Sequence, residues 1–134
     1  MAPAHMTHPV DLVGKKLSSV HDLADTLGLG FGELHHAPTR RSPNRMVGEF
    51  ALQIQCTWKY SGEAGLHARA TQDPALVVAA THLSGDGLMR VVFDDGTELA
   101  VYADASSDEE QWRLFKPGDP ESHVVFGGGR VVPA

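Results

Sequence analysis

The sequence predicts a mainly β domain, an antiparallel meander forming a small rolled sheet or barrel with one or two short helices packed on it; a larger helical share would make it α+β. Three observations carry this expectation. Residues 48–60, GEFALQIQCTWKY, alternate apolar and polar side chains without a break, the period of a half-buried strand. Residues 88–104 hold two β-rich runs around Asp95-Gly96, the pair favoured in tight hairpin turns. Short runs of this kind recur along the chain between Gly, Pro and Asp clusters, as in small all-β folds. With 134 residues, the chain suits one compact domain able to bury a core.

In chain order, residues 1–9 read as a disordered N-terminus, partly vector-derived, because His5-Met6 is what a common cloning junction leaves behind. His5 and His8 therefore carry no functional weight, and residues 10–134 form a single β-rich domain. Residues 10–32 admit two patterns. Val20, Leu23, Ala24 and Leu27 make a helical stripe that Ser19 would cap, whereas Leu27, Leu29 and Phe31 alternate as a strand does. Two strands fit better. Residues 33–46 hold two prolines and three arginines without apolar periodicity, and read as a long exposed loop.

The segment 48–60 comes next, with Phe50, Leu52, Ile54, Cys56, Trp58 and Tyr60 on one face. A polar connection covers 61–74. Residues 75–83, ALVVAATHL, suit a short strand better than a helical turn because of the two valines. The 88–104 hairpin follows. Residues 109–119 place Trp112 and Leu114 opposite Arg113 and Phe115 before Pro117-Gly118 breaks the run. Residues 123–132 form a last strand pair around three glycines.

Composition excludes several classes. No window approaches eighteen consecutive apolar residues, and no cationic, apolar leader is visible, so a cytoplasmic protein with no membrane association is expected. A single cysteine makes no internal disulfide and no Cys-based zinc site. Charge is unevenly spread. Residues 1–85 balance seven acids against seven Lys or Arg, while 86–121 carry ten acids against Arg90, Arg113 and Lys116, a net of minus seven. Such a segment disfavours nucleic acid and suits a basic partner, or simply forms a solvated face.

Candidate chemistry is sparse. Cys56 falls on the apolar face, where cysteine behaves as a small hydrophobe. The histidines lack the paired spacing of a metal site, so no metal or other cofactor is expected. GLGFG, 28–32, and FGGGR, 126–130, lack the strand–helix context of a phosphate loop and read as turns or bulges. The carboxylates offer no recognisable acid–base pair, so no catalytic residue is assigned. Trp112 and Arg113 are residue types typical of interface hot spots, although a tryptophan in a short strand also suits the core.

GEFALQIQCTWKY, EEQWRLFKPG and the histidine-led HVVFGGG together resemble a family of small bacterial proteins of uncharacterised function with a GE(Y/F)ALH(I/V)QCPWR-like segment. The similar elements span about residues 10–130. Gln53 stands where that pattern has histidine, Thr57 where it has proline and Lys59 where it has arginine. The resemblance implies no activity and carries over no catalytic residue; it associates the chain with proteins of which some look like immunity partners of bacterial toxins.

The leading expectation is a non-catalytic protein-binding module, an immunity-type protein neutralising a basic, toxin-like protein through an acidic face. Its contacts would be Asp104, Asp108, Glu109, Glu110, Trp112 and Arg113. The alternative is a binder of a small anionic ligand, or an enzyme, with a pocket in a rolled sheet near Gln53, Gln55, Arg40, Arg41 and Arg45. A homodimer through an exposed strand edge is a third expectation.

Overall fold

The computed structural model describes residues 7–133; the His5-Met6 junction and most of the expected N-terminal tail lie outside them. Twelve strands follow one another: β1 (Leu17–Leu23), β2 (Thr26–Phe31), β3 (His35–His36), β4 (Met46–Val47), β5 (Phe50–Ile54), β6 (Thr57–Tyr60), β7 (Val78–Leu83), β8 (Leu88–Phe93), β9 (Glu98–Tyr102), β10 (Trp112–Phe115), β11 (Val124–Gly127) and β12 (Arg130–Pro133). Helix is confined to α1 (Leu66–Arg69) and two short 3-10 turns among the described residues. All strand pairs are antiparallel.

The strands make a six-stranded sheet, ordered β1-β2-β5-β10-β11-β12, and a four-stranded sheet, ordered β6-β9-β8-β7. Neither closes into a barrel. Consecutive strands pair within β7–β8–β9 and β10–β11–β12, but β5 inserts between β2 and β10. That long-range insertion builds the centre of the larger sheet.

The segment 48–60 was expected as one strand and is two. β5 belongs to the larger sheet and β6 to the smaller, with a bend at Gln55-Cys56 between them. Both sheets contribute to the same core, so the inward phase survives the crossing: Phe50, Leu52 and Ile54 are buried, and Cys56, Trp58 and Tyr60 pack against that core from part-buried positions. An alternation of period two reports which face is inward, not whether the strand stays in one sheet.

The ambiguous 10–32 segment resolves into the β1–β2 hairpin. Leu27, Leu29 and Phe31 are buried, whereas Leu23, a member of the competing helical stripe, is exposed. Ala24 takes a positive φ of 53° in the two-residue turn, a conformation L-residues seldom adopt. Residues 7–9 are held in place rather than disordered. Thr7 is buried and its hydroxyl donates to the Leu114 and Ser122 carbonyls at 3.0 and 2.9 Å, and His8 caps the 3-10 turn over Pro9–Leu12.

The 33–46 stretch is also more ordered than a loop. His35 pairs with Val47 and His36 with Met46, so β3 and β4 form a two-residue ladder. Beyond it, Ala37 N–H donates to the Arg45 carbonyl and a turn over Thr39–Ser42 closes the tip. The result is a short ribbon attached through Gly48 to the start of β5.

Trp112, Leu114, Val124 and Phe126 line the inward side of β10 and β11, and Met89, Val91, Phe93, Leu99 and Val101 that of β8 and β9. Trp112 and Phe126 stack with centroids 6.1 Å apart. Each such side chain contributes about 1.5–3 kcal/mol on full burial. This core fixes the larger sheet as a platform whose opposite face is free to carry function.

Candidate functional site

The outward face of the six-stranded sheet is read across its strands. In one transverse row His21 faces Gly28, Gly28 faces Gln53, and Gln53 faces Arg113. In the next, Ser19 faces Gly30, Gly30 faces Ala51, and Ala51 faces Phe115. The centre of the platform thus carries glycine and alanine, with larger side chains on either side. The His21 and Ser19 side chains occupy the space over the two glycines. A Cβ on Gly28 would stand 2.6 Å from His21 Nε2, and one on Gly30 would stand 2.4 Å from Ser19 Oγ.

A cleft of about 370 Å³ opens over this trough. Ser19 and His21 line one side, Phe115 and Pro117 the other, and Arg45, Met46 and Val47 of the ribbon close one end. Gln53 rises from the floor. Among the described residues no carboxylate lines the cleft, and the one permanent charge is the Arg45 guanidinium. Its Nη1 donates to the Ala37 carbonyl at 3.3 Å. The Ser19 hydroxyl and the His21 imidazole do not hydrogen-bond each other, so no nucleophile–base pair is assembled.

Of the ligand-binding residues expected from the sequence, Gln53 and Arg45 meet here. The site lies on the outside of the sheet rather than in the interior of a roll, because the interior is filled by the core. Gln55 points elsewhere, donating from Nε2 to Glu110 Oε2 at 2.7 Å. Arg40 and Arg41 are exposed near the ribbon tip and do not line the cleft. Ser19, His21, Met46 and Phe115 were missed. A signal for the trough existed in Gly28-Leu29-Gly30, where two residues without side chains share one face of a strand.

The acidic segment has a different character in the structure. Asp95 accepts from the Thr97 hydroxyl at 2.6 Å and from Arg69 at 3.2 Å; the Thr97 bond chiefly holds its carboxyl below the usual range. Asp104 accepts from Ser106, and Asp86 from Ser84 and the Leu88 amide, and these bonds likewise lower both carboxyls. Glu98 stands 3.5 Å from Arg90. Much of the charge is therefore spent on closing turns. Asp108 and Glu109 remain exposed and make no ion pair among the described residues.

Trp112 is fully buried, so it serves the core and presents nothing to a partner. Its indole N–H meets no hydrogen-bond acceptor among the described residues. Arg113 is half-buried and committed: it donates to Glu110 at 2.7 Å and to His123 Nδ1 at 2.9 Å. Glu110, already bound by Gln55, raises the Arg113 pKa. Burial first, and the Arg113 cation second, hold His123 below its ordinary value, which keeps Nδ1 free to accept. The imidazole stacks on Phe115 with centroids 4.3 Å apart and planes inclined by 13°.

Cys56 is part-buried and desolvation raises its thiol pKa, the opposite of an activated nucleophile. His67 pairs with Asp22 at 2.9 Å, His36 Nε2 meets the Pro43 carbonyl, and His35 and His82 are exposed. Among the described residues no three His, Cys, Asp or Glu side chains gather as metal ligands, and no helix is long and apolar enough to cross a membrane. No family model, curated protein or solved structure matches the chain, so the chemistry of the cleft itself is what bears on function.

Proposed function

We propose that the protein is a non-catalytic binding module for a small anionic ligand, held in the cleft on the outer face of the six-stranded sheet. One observation carries this reading: the cleft joins Arg45, His21, Ser19 and Gln53 to apolar walls and contains no carboxylate. Ligand sites are commonly concave and largely apolar, with a few convergent polar groups that fix orientation. A guanidinium suits a carboxylate or phosphate through paired N–H donors. Ser19, Gln53 and His21 add further hydrogen-bonding groups. The neutral-to-positive lining stands out in a chain with a net charge of −6.

Calorimetric titration with a panel of small carboxylates and inorganic phosphate tests the reading. At least one anion is expected to bind the native protein, and Arg45→Gln to weaken it about tenfold or more without lowering the melting temperature, since Arg45 is exposed and one charge-assisted hydrogen bond is worth roughly 1.5–3 kcal/mol. Binding that is indifferent to Arg45→Gln, or no anion binding at all, contradicts it.

A second reading rests on Asp108 and Glu109, whose exposed carboxylates make no ion pair among the described residues. They would form the centre of an acidic face for a basic protein, the immunity-type role in the cytoplasm that the sequence suggests. Charge complementarity would then raise the association rate. Reversal of Asp108 and Glu109 should slow capture of a cationic partner and reduce its salt dependence; unchanged kinetics would remove this reading. Glu110 is unsuitable for that test because its reversal also breaks the Arg113 pair.

A further inference from the structure

Phe115, at the far side of the cleft, and the His123 ring stacked on it narrow the ligand further. His123 and Phe115 lie nearly parallel at 4.3 Å. Arg113 Nη1 fixes the imidazole through Nδ1, and Glu110 fixes Arg113 with contacts of 2.7, 3.2 and 3.3 Å. Glu110 is itself tied to Gln55. A chain of four polar residues thus sets the plane of one aromatic ring. In the sheet, β11 with His123 behind it borders β10 on one side, and β5 borders it on the other. His123 covers one face of Phe115 and leaves the other clear of that ring. Phe115 lines the cleft together with Ala51 and Gln53.

Beside Phe115 the platform is flat, because Gly30 and Ala51 lie in the same transverse row. The single guanidinium sits at the ribbon end of the cleft, and no helix N-terminus or second permanent cation lines it. One such charge balances a monoanion; dianionic phosphates are usually held by several donors or a nest of amides. The volume of about 370 Å³ lies near the lower end of the roughly 300–1,000 Å³ range of ligand sites.

From these features we infer that the ligand is a planar aromatic or heteroaromatic monocarboxylate, with its ring laid against Phe115 and its carboxylate at Arg45. Phe115 is then a specificity-determining residue, and His123, Arg113 and Glu110 position it. This rests on the anion-binding reading of the same cleft and commits it to a shape. Ring stacking favours offset parallel or edge-on partners over puckered ones of equal size. Ser19 and Gln53 would bond ring substituents or heteroatoms rather than the carboxylate.

The experiment compares 2-naphthoate with decahydro-2-naphthoate, a pair equal in charge and carbon skeleton but differing in planarity. Binding is measured calorimetrically to the native protein, Arg45→Gln and Phe115→Leu. The expected result is preferential binding of 2-naphthoate. Phe115→Leu should weaken it about three- to tenfold, the size of an aromatic pairing, and leave decahydro-2-naphthoate unchanged. Because Phe115 is part-buried, the native protein supplies an independent readout: nuclear Overhauser contacts from naphthoate protons to the Phe115 ring. Equal, Arg45-dependent binding of both probes, or Arg45-dependent binding of inorganic phosphate alone, would leave the anion site standing and overturn the planar ligand. Overhauser contacts elsewhere would overturn it too. Failure of every probe to bind would overturn both.

Discussion

The two faces of β5 differ in what they are built from. Phe50, Leu52 and Ile54 point into a core shared by both sheets, while Ala51 and Gln53, on the same five residues of backbone, point into an open cleft. The inner face is built from side chains that fill space, and the outer face from the absence of them at Gly28, Gly30 and Ala51. One face therefore answers to packing density and the other to what can be laid upon it. Substitutions on the two faces should separate stability from binding.

The largest effect is expected at Leu52, which is fully buried. Leu52→Ala should cost about 2–5 kcal/mol in urea unfolding, as core truncations do. Its neighbour Gln53, replaced by alanine, should change stability by less than about 0.5 kcal/mol, as polar surface changes do, yet weaken ligand binding. Comparable losses of stability at both positions would erase the contrast between faces.

Next comes the junction of the ribbon with the sheet. A Cβ on Gly48 would stand 2.6 Å from the Phe31 carbonyl oxygen and 2.9 Å from its amide nitrogen. Backbone yields less readily than a side-chain tip, so Gly48→Ala should cost about 1–3 kcal/mol, as overpacking does. It should also move Arg45 and impair binding. Gly28→Ala is gentler, since the His21 ring that it meets is exposed and can swing aside. Here binding should fall with little change in the unfolding midpoint.

The smallest effect concerns pH. His123 is held below its ordinary value of 6.5, first by burial and then by Arg113. At higher pH the ring is neutral in both folded and unfolded chains. As the pH falls below 6.5 the unfolded chain takes up a proton first, so stability declines until the folded ring titrates and then levels off. His123→Phe retains a ring over Phe115 and should flatten this part of the stability profile. A profile unchanged by the substitution would show that the ring bears no such linkage.

Legibility from sequence divided along the same line. The β8–β9 hairpin within residues 88–104 was readable because local turn chemistry at Asp95-Gly96 decides it; Gly96 adopts a φ of 84°. The inward residues of β5 were readable because alternation depends only on the strand itself. The break at Gln55-Cys56 was not, since the alternation keeps its phase across both sheets. Nor was the cleft, which draws on β1, β2, β4, β5 and β10 and exists only because β5 inserts between β2 and β10. Such long-range pairing leaves no local trace.

The acidic segment shows the converse limit. Net charge counts every carboxylate equally, whereas Asp95 and Asp104 bond to the hydroxyl two residues on. The spacing Asp-x-Thr and Asp-x-Ser was present in the sequence and marked those acids as turn formers. Trp112 was ambiguous for another reason: its residue type suits an interface and a core alike, and only the stack on Phe126 decides.

The most direct measurement is a titration of the 15N-labelled protein with 2-naphthoate, followed by amide chemical shifts. The cleft as binding site requires the largest shifts at Gly28, Gly30, Ala51, Gln53 and Phe115, with the amides of 104–110 unmoved. Shifts centred on 104–110, or none at saturating ligand, would contradict it.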